Sequence, residues 1–347
     1  MSATVNQPKV SVAMITYQHE AFIAQAIESV LRQQTPFPVE LVIGEDCSTD
    51  GTREIVQRYA ARYPEAVRPL LARQNLGMHE NLRQTLSACR GQYVAFLEGD
   101  DYWTSPQKLE RQVAFLDAHP EFVMCYHRVR FFLEGEDRGF FEEPPPERRT
   151  HRTIESLLNY SSIATCSVVC RRAWLPEPPV GFTALRMADW PLWMLLARHG
   201  DVGFVDELMA EHRFHDGGIY SSLNGHERLQ AQVEVLEWIA NQLPPHLRQV
   251  ARAAGKRYAR EARVARQLEG IRAALKLNGR ARQGWAICRT LLAGPRVVFR
   301  RPFAAALVEL VCGGDGKDRL KHWLAAPRGS TSQGEASSDG RQSPPGG

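Results

Sequence analysis

The chain has 347 residues, 44% of them hydrophobic and 24% charged, values typical of a soluble globular protein rather than a disordered or fibrous one. This length allows one large domain or two small ones. The net charge of +4 is unevenly spread, because Lys and Arg exceed Asp and Glu in residues 245–321 and the remainder is acidic. An acidic body with a basic C-terminal segment indicates two different roles.

Features of export or membrane insertion are missing from the sequence. The start, MSATVNQPKV, lacks the apolar region of a secretory signal, and no stretch reaches the ~18 uncharged apolar residues that span a bilayer. The seven cysteines lie mostly in apolar runs, and Cys166 and Cys170 have no second pair of ligands. We therefore predict buried free thiols in a reducing cytoplasm rather than a zinc site or disulfides.

The first 130 residues alternate between strand-like and helix-like segments. The apolar, β-branched run VSVAMITY predicts a buried strand at 10–17, and apolar residues at helical spacing follow from Glu20. The alternation continues with strands at 39–46, 67–72, 92–98 and 121–126 and helices at 52–63, 78–89 and 106–118. It predicts an α/β fold with an open, mostly parallel twisted sheet flanked by helices.

The remaining segments extend this domain and then change character. We predict an exposed loop or hairpin tip at 134–149, and then, in chain order, a helix at 153–160, a strand at 164–170, a helix at 187–199 and strands at 202–206 and 208–214. The α/β domain would occupy residues 1–226 and a basic helical extension residues 227–326. The tail, 327–347, is rich in Gly, Ser, Pro and Gln and is predicted to be disordered.

Polar clusters stand at the predicted carboxyl ends of the strands, where open α/β sheets bind ligands. The cluster LEGDDYW brings Glu98, Asp100 and Asp101 together. Clustered carboxylates repel one another unless a cation neutralises them, and oxygen ligands suit Mg²⁺ or Mn²⁺. An acidic turn that caps the next helix is the alternative.

The cluster GEDCSTDGT follows the second strand. Asp46 comes directly after that strand, where its carboxylate could accept a hydrogen bond from a uracil imide or a ribose hydroxyl. Asp50, within STDGT, is better explained as a turn or cap residue.

Two later segments carry isolated polar candidates. Asp189 lies among apolar and aromatic residues in MADWPLW, where it could act as a base with a shifted pKa or cap the following helix. Arg213 and His215, two apart on a strand, face the same side. His215 could complete a metal site or contact a diphosphate, or it could be a solvated strand end.

Taken together, these segments resemble the family 2 glycosyltransferases, which have the GT-A fold. The resemblance is carried by VSVAMITYQHEAFIAQAIESVLRQQ, VELVIGEDCSTDGT, QNLGMHENL, GQYVAFLEGDDYWTSPQKLERQ, ADW and HRFH, in the family's order over residues 8–222. It implies that Asp100 binds the metal, that His215 joins the metal or diphosphate site, and that Asp189 is the general base. The nucleotide-sugar site that it implies consists of Thr16, Tyr17, Glu45, Asp46, Asn75, Gly77, Glu98 and Asp101.

The sequence departs from the family pattern at two positions. Glu98 stands where an Asp usually opens the metal motif, and Ala188 precedes the presumed base where many relatives have a second acid. The resemblance nevertheless implies a Mg²⁺- or Mn²⁺-dependent, inverting transfer of sugar from a nucleotide-diphosphate sugar to an acceptor hydroxyl. The implied setting is the synthesis of surface polysaccharide or glycan, with a glycan or lipid-linked glycan as acceptor.

Other functions remain open at this stage. A catalytically silent sugar-nucleotide or glycan binder would share the fold, as would a nucleotidyltransferase, although the Gly-rich basic loop of that class is missing after the first strand. Residues 248–311 interleave Arg and Lys with apolar stretches, which predicts peripheral contact with an anionic membrane; a helical appendage with a solvated basic face is the alternative. No nucleic-acid-binding module accompanies this charge, so we do not expect nucleic acid as a partner. We predict a cytoplasmic protein at the inner face of the membrane.

Overall fold

The computed structural model describes residues 7–133, 141–160, 163–215, 217–218 and 223–278, with side chains as far as residue 270. Residues up to Arg266 belong to one compact unit, and a second unit begins at Gln267. Of the second unit, the structure describes the backbone as far as Asn278, so the predicted tail at 327–347 lies outside the described residues.

The first part of the chain forms the parallel half of one sheet. Its strands are β1 (Val10–Thr16), β2 (Val39–Glu45), β3 (Val67–Leu71) and β4 (Tyr93–Glu98), and its helices are α1 (Ile23–Leu31), α2 (Thr52–Arg62) and α3 (Met78–Ala88). These strands lie in the order β3-β2-β1-β4, all parallel. The strands are apolar on both faces because helices cover both sides, which confirms the predicted α/β fold.

Beyond β4 the sheet becomes mixed. Its further strands are β5 (Tyr102–Trp103), β6 (Phe122–Leu133), β7 (Phe141–Glu143), β8 (Val169–Arg171) and β9 (Asp201–Phe214), and its helices are α4 (Lys108–Ala118), α5 (Ile154–Asn159) and α6 (Asp189–Leu196). The full order is β3-β2-β1-β4-β8-β6-β9-β5, with β7 paired to β6. β8 is antiparallel to both neighbours and β9 is parallel to β6, so the predicted parallel arrangement holds for one half of the sheet.

Two predicted strands differ in the structure. The segment predicted as a strand at 164–170 is a 3₁₀ turn, Thr165–Ser167, followed by the short β8. The reason is that the Cys166 carbonyl accepts a hydrogen bond from the Trp103 indole (2.9 Å) and the Ser167 carbonyl accepts one from the Gln112 amide (2.9 Å). These side chains replace the ladder partners that a strand would need.

The two strands predicted at 202–206 and 208–214 are the single strand β9. Its register against β6 shifts where Val205 faces His127 and Leu208 faces Arg128, so that Asp206 and Glu207 form a bulge. The bulge explains the break in alternation that suggested two strands.

The last described elements are α7 (Gly225–Ala240) and α8 (Pro245–Asn278). Asn224 and Glu227 form a capping box at the start of α7. Apolar residues of α7 and of the first turns of α8 belong to the core beneath the sheet, and the buried members on α8 include Ala251, Ala254 and Tyr258. The predicted boundary at 226/227, between the α/β domain and the helical extension, remains a prediction. Among the described residues, no helix is long and apolar enough to cross a membrane.

One buried cation lies at the start of α4. Lys108 is 0% exposed, its ammonium donates to the Gln112 amide oxygen (2.8 Å), and it lies 4.1 Å from the centre of the Trp103 ring. Burial lowers the pKa of Lys108 to about 7. The five described cysteines are free thiols; four of them are buried, whereas Cys47 is partly exposed.

Candidate active site

The carboxyl ends of β1, β2 and β4 are aligned with one another at one edge of the sheet, where the candidate site lies. Thr16 pairs with Glu45 in the parallel β1–β2 ladder, and Ile15 pairs with Glu98 in the β1–β4 ladder. The backbone continues this alignment, since the amide of Asp46 donates to the Thr16 carbonyl (3.1 Å). The polar residues predicted at the strand ends are therefore brought to one edge of the sheet.

Asp46 organises the loop that contains Asn75 and Gly77. It is 2% exposed, and its two carboxylate oxygens accept hydrogen bonds from the amides of Leu76 (2.7 Å) and Gly77 (3.0 Å). The Asn75 amide donates in turn to the Asp46 carbonyl (3.2 Å). Gly77 has a φ of 79°, a conformation that favours glycine, and no atom lies within 4 Å of the position of a Cβ there. The structure joins these three predicted residues in one loop system beside the sheet edge.

Glu45 has a different environment from its neighbour Asp46. Its side chain is fully buried, and its oxygens accept hydrogen bonds from the Ser48 amide (2.7 Å) and from the Arg53 guanidinium (2.5 Å). Arg53 also donates to the Ala72 carbonyl, which joins the loops after β2 and β3. Glu45 thus holds these loops together through its hydrogen bonds. Its predicted contact with a nucleotide sugar stays a prediction.

The loop after β1 is tied to the loop after β2. The Gln18 side-chain oxygen accepts from the amides of Thr49 and Asp50 (both 3.1 Å), and Gln18 itself has a φ of 58°. Asp50 accepts from the amide of Thr52 (3.0 Å), as expected for a turn residue. Tyr17 is 43% exposed beside these contacts. The loops are therefore held in place while Tyr17 stays open to a ligand.

Asp100 and His215 meet at the ends of β4 and β9. The Nε2 atom of His215 lies 3.1 Å from Asp100 Oδ2, and the two side chains are only 11% and 16% exposed. An imidazole and a carboxylate this close fit the donor set of a divalent cation. The Arg213 guanidinium donates to the backbone carbonyl of Asp100 (3.0 Å). His19, which the sequence analysis did not select, also approaches the same oxygen, with Nε2 at 3.7 Å.

A second group of titratable side chains consists of Glu98, Asp101 and His212. Asp101 is 1% exposed; its Oδ2 accepts from His212 Nδ1 (2.8 Å) and its Oδ1 accepts from the Arg213 amide (2.9 Å). One ligand atom from each of the three residues lies within 4.8 Å of the others. Asp101 therefore fixes the end of β9 against the strand-to-loop turn after β4.

The electrostatics of these carboxylates follow from burial and from the nearby charges. Burial and the charges of Asp100 and Asp101 hold the pKa of Glu98 well above its usual range. Burial acts to raise the pKa of Asp100, but the hydrogen bond from His215 and the charges of His19 and His212 outweigh it, and that pKa is lowered. Burial alone would lower the pKa of His212, yet Asp101 raises it to about 9. The pKa values of the neighbouring Glu98 and Asp100 are thus shifted in opposite directions.

Asp189 is the first residue of α6. The rest of the helix is buried, whereas Asp189 is partly exposed, and the residue at the N-cap position is Ala188, which makes no side-chain cap. Burial raises the pKa of Asp189, and the charge of Asp189 in turn contributes to the raised pKa of Glu98.

Some residues of the site were missed by the sequence analysis. His19 and His212 occur next to selected motifs, in TYQHEAF and EHRFH, but no spacing rule distinguishes them from surface histidines. Thr16, predicted in the nucleotide-sugar site, is buried at 2% exposure and lies 3.2 Å from His19 Nδ1, and its contact with a ligand stays a prediction. A Cβ on Gly99 would lie 2.5 Å from the Thr16 hydroxyl and 2.9 Å from His19 Nδ1, so only glycine leaves room for this pair.

Comparisons with known proteins show which sequences and structures this chain is similar to. Residues 11–175 match the model of the Glycosyl transferase family 2. The uncharacterized protein Rv1520 of Mycobacterium tuberculosis is 41% identical over 213 residues, which are 61% of this chain and 60% of the relative. The Escherichia coli UDP-Glc:alpha-D-GlcNAc-diphosphoundecaprenol beta-1,3-glucosyltransferase WfaP is 25% identical over 66% of this chain and 86% of its own.

A solved structure has the same fold. Mannosyltransferase PcManGT from Pyrobaculum calidifontis, in complex with GDP-Man and Mn²⁺, matches with a TM-score of 0.57 and 17% identity, over 92% of this chain and 88% of that chain. The predicted GT-A architecture is therefore confirmed. The match to the Glycosyl transferase family 2 model covers just under half of the chain, so residues 11–175 are similar to the family 2 glycosyltransferases.

Proposed function

We propose that this protein is an inverting glycosyltransferase that moves a sugar from a nucleotide-diphosphate sugar to an acceptor hydroxyl. One observation carries the proposal: Asp100 and His215 meet beside the aligned carboxyl ends of β1, β2 and β4. In open α/β sheets this edge is the place where nucleotides bind. The exposed Tyr17 and the loop held by Asp46 border the same edge.

Asp189 is the proposed general base. Its carboxylate is partly exposed at the mouth of a buried helix, and its raised pKa brings it closer to neutral pH, where a base is most effective. A carboxylate oxygen of Asp189 takes the proton of the acceptor hydroxyl while the hydroxyl oxygen bonds to the anomeric carbon. The bond from that carbon to the nucleoside diphosphate breaks, and its electron pair leaves with the diphosphate. Attack from the side opposite the leaving group inverts the configuration.

Asp100 and His215 are the proposed ligands of Mg²⁺ or Mn²⁺. A divalent cation bound there supplies positive charge to the diphosphate as it departs. Glu98 and Asp101 would assist from the protein side: Asp101 orients β9 through the Arg213 amide, and the raised pKa of Glu98 favours its uncharged form near the diphosphate. Asp46, Asn75 and Gly77 would surround the base and ribose.

The acceptor and the setting are also proposals. WfaP is named for a lipid-diphosphate-linked sugar acceptor, and we propose a glycan or lipid-linked glycan acceptor in surface polysaccharide synthesis. Exposed cations on α8, among them Arg252, Lys256 and Arg260, support contact of residues 248–311 with an anionic membrane at its cytoplasmic face.

The test of the proposed function is calorimetric titration of the full chain with UDP, GDP and dTDP, each with and without Mn²⁺ or Mg²⁺. We expect one nucleotide to bind with metal-dependent affinity. The corresponding sugar nucleotide should then give a product of inverted anomeric configuration by NMR. Failure of all three nucleotides to bind in the presence of metal would contradict the proposal.

A further inference from the structure

His19 lies beside the proposed cation site, although it comes from a different element than Asp100 and His215. It belongs to the turn between β1 and α1, and its side chain is 15% exposed. Its Nε2 atom is 3.7 Å from Asp100 Oδ2, and its ring centre is 6.0 Å from that of His215 at an interplanar angle of 82°. Two imidazole rings from distant parts of the chain thus point at one carboxylate oxygen.

The separations match those of ligands on a single ion. One nitrogen of each histidine and a carboxylate oxygen of Asp100 all lie within 4.8 Å of one another. Two adjacent ligands at about 2.1 Å from an octahedral cation are about 3.0 Å apart, and opposite ligands are about 4.2 Å apart. The 3.1 Å and 3.7 Å contacts of Asp100 Oδ2 need to change by less than 1 Å to meet this geometry.

The other nitrogen of the His19 ring is held by the protein. Nδ1 lies 3.2 Å from the Thr16 hydroxyl, which is almost completely buried. When the Nδ1–H group donates a hydrogen bond to this hydroxyl, Nε2 carries the lone pair, which is directed at the cation site. Metal-binding histidines usually have such a partner on the second ring nitrogen, which fixes the tautomer and the ring orientation. Gly99 leaves the space that the Thr16–His19 pair needs.

The neighbouring ring restricts where His19 can go. Phe22 lies 6.5 Å from the His19 ring and 4.8 Å from the His215 ring, measured between centres. The Phe22 ring therefore borders both imidazoles on the side of α1.

We propose that His19 is a third protein ligand of the cation that Asp100 and His215 bind, so that the site offers two imidazole nitrogens and one carboxylate oxygen. The consequence is a preference for a first-row transition ion such as Mn²⁺ over Mg²⁺. Imidazole nitrogen binds transition ions well, whereas Mg²⁺ is a hard cation that favours oxygen ligands and retains its waters. The proposal rests on the proposed function only in placing a cation between Asp100 and His215.

The test compares binding of Mn²⁺ and of Mg²⁺ to the full chain in the presence of UDP, with GDP as a second probe. Free Mn²⁺ is followed by its room-temperature EPR signal, and Mg²⁺ by its competition with Mn²⁺. Pulsed EPR counts the ¹⁴N nuclei that couple to bound Mn²⁺. The wild-type protein should favour Mn²⁺ and show two coupled imidazole nitrogens.

Two substitutions at position 19 separate ligation from folding. The Asn side chain of His19→Asn replaces Nδ1 and keeps the contact with Thr16 but lacks an atom at Nε2. We expect it to weaken Mn²⁺ binding about 10- to 100-fold and to leave one coupled nitrogen. His19→Gln places an amide oxygen near the Nε2 position, so it should regain part of the affinity and narrow the difference between Mn²⁺ and Mg²⁺. His246→Ala, an exposed histidine on α8, is the matched control and should behave as wild type.

Unchanged Mn²⁺ affinity and two coupled nitrogens in His19→Asn would overturn the proposal while leaving the proposed function intact. Absence of Mn²⁺ binding by the wild-type protein, even with nucleotide, would count against both. Circular dichroism spectra of each variant, compared with that of the wild-type protein, establish that the variant is folded.

Discussion

The two ends of the parallel strands carry buried carboxylates of opposite kinds. At the amino-terminal edge, Glu40 is 2% exposed, and its oxygens accept hydrogen bonds from the Ser11 hydroxyl and from the guanidinium groups of Arg68 and Arg90. At the carboxyl-terminal edge, Asp100 faces two histidines, and Glu98 has other carboxylates as its main charged neighbours. The first arrangement satisfies its charge within the protein.

The second arrangement groups several carboxylates near one another, and a bound cation would relieve the repulsion among them. This difference predicts that substitutions at the two edges have separable effects. Changes at the carboxyl-terminal edge should reduce activity and ligand binding, and changes at the amino-terminal edge should reduce stability.

The largest effect is expected for Asp189→Asn. Loss of a general base typically lowers turnover about 10²- to 10⁴-fold. Because the amide retains the shape of the carboxylate, metal-dependent nucleotide binding should stay within about twofold of wild type. Sugar transfer is measured with the donor that calorimetry identifies, and undiminished kcat would refute the assignment of Asp189 as base.

Next in size is Asp100→Asn. Removal of the carboxylate that both histidines face should weaken Mn²⁺-dependent nucleotide binding about 100-fold, with little change in the midpoint of thermal unfolding. Calorimetry with and without Mn²⁺ measures the first quantity and a melting curve the second. Retention of metal-dependent binding would place the cation elsewhere.

Glu40→Gln tests the opposite edge. Its loss of charge leaves Arg68 and Arg90 without their buried partner, so we expect the free energy of unfolding to fall by about 2–3 kcal/mol. Nucleotide affinity of the folded protein should not change. Chemical denaturation gives the stability, and a variant that binds nucleotide poorly while unfolding normally would contradict the separation of the two edges.

The smallest effect concerns Lys108, which lies in neither edge group. The unfolded chain keeps a proton on this lysine up to about pH 10.5, whereas the folded chain releases it near pH 7. Because the unfolded state binds more protons in this window, the free energy of unfolding should rise with pH, by at most about 1.4 kcal/mol per unit. Relative to Lys108→Met, the wild-type protein should gain about 2 kcal/mol between pH 7.5 and 9.5. If the free energies of unfolding of the two proteins changed with pH in the same way, Lys108 would stay charged when buried, which would contradict the prediction.

The sequence predicted the parallel half of the fold well because its signals are local. Apolar strand runs, helical spacing and the turn chemistry of STDGT each lie within a short window, and the elements β1 to β4 follow them. The single strand β9 and the 3₁₀ turn at Thr165–Ser167 could not be predicted, since they depend on a bulge against β6 and on side chains of Trp103 and Gln112 that are distant in sequence.

The candidate site divides in the same way. Asp46 and Asp100 could be selected from the sequence because carboxylates directly after apolar strands are unusual, and Asp189 because its neighbours are apolar and aromatic. The involvement of His19 and His212 is decided by which strands become neighbours, and the binding of Arg53 by Glu45 is decided by the path of α2. Such contacts between distant segments are set by the fold and leave no local pattern.

The long sequence separation between Asp100 and His215 has a consequence for the synthesis of the chain. These residues, 115 positions apart, meet only after β9 has paired with β6. A nascent chain that has released β1 to β4 from the ribosome therefore exposes its acidic edge for the time that translation needs to reach β9. Capture of the cation would then mark the completion of the sheet, and stalled chains that lack β9 would be distinguishable from finished ones by their inability to retain metal.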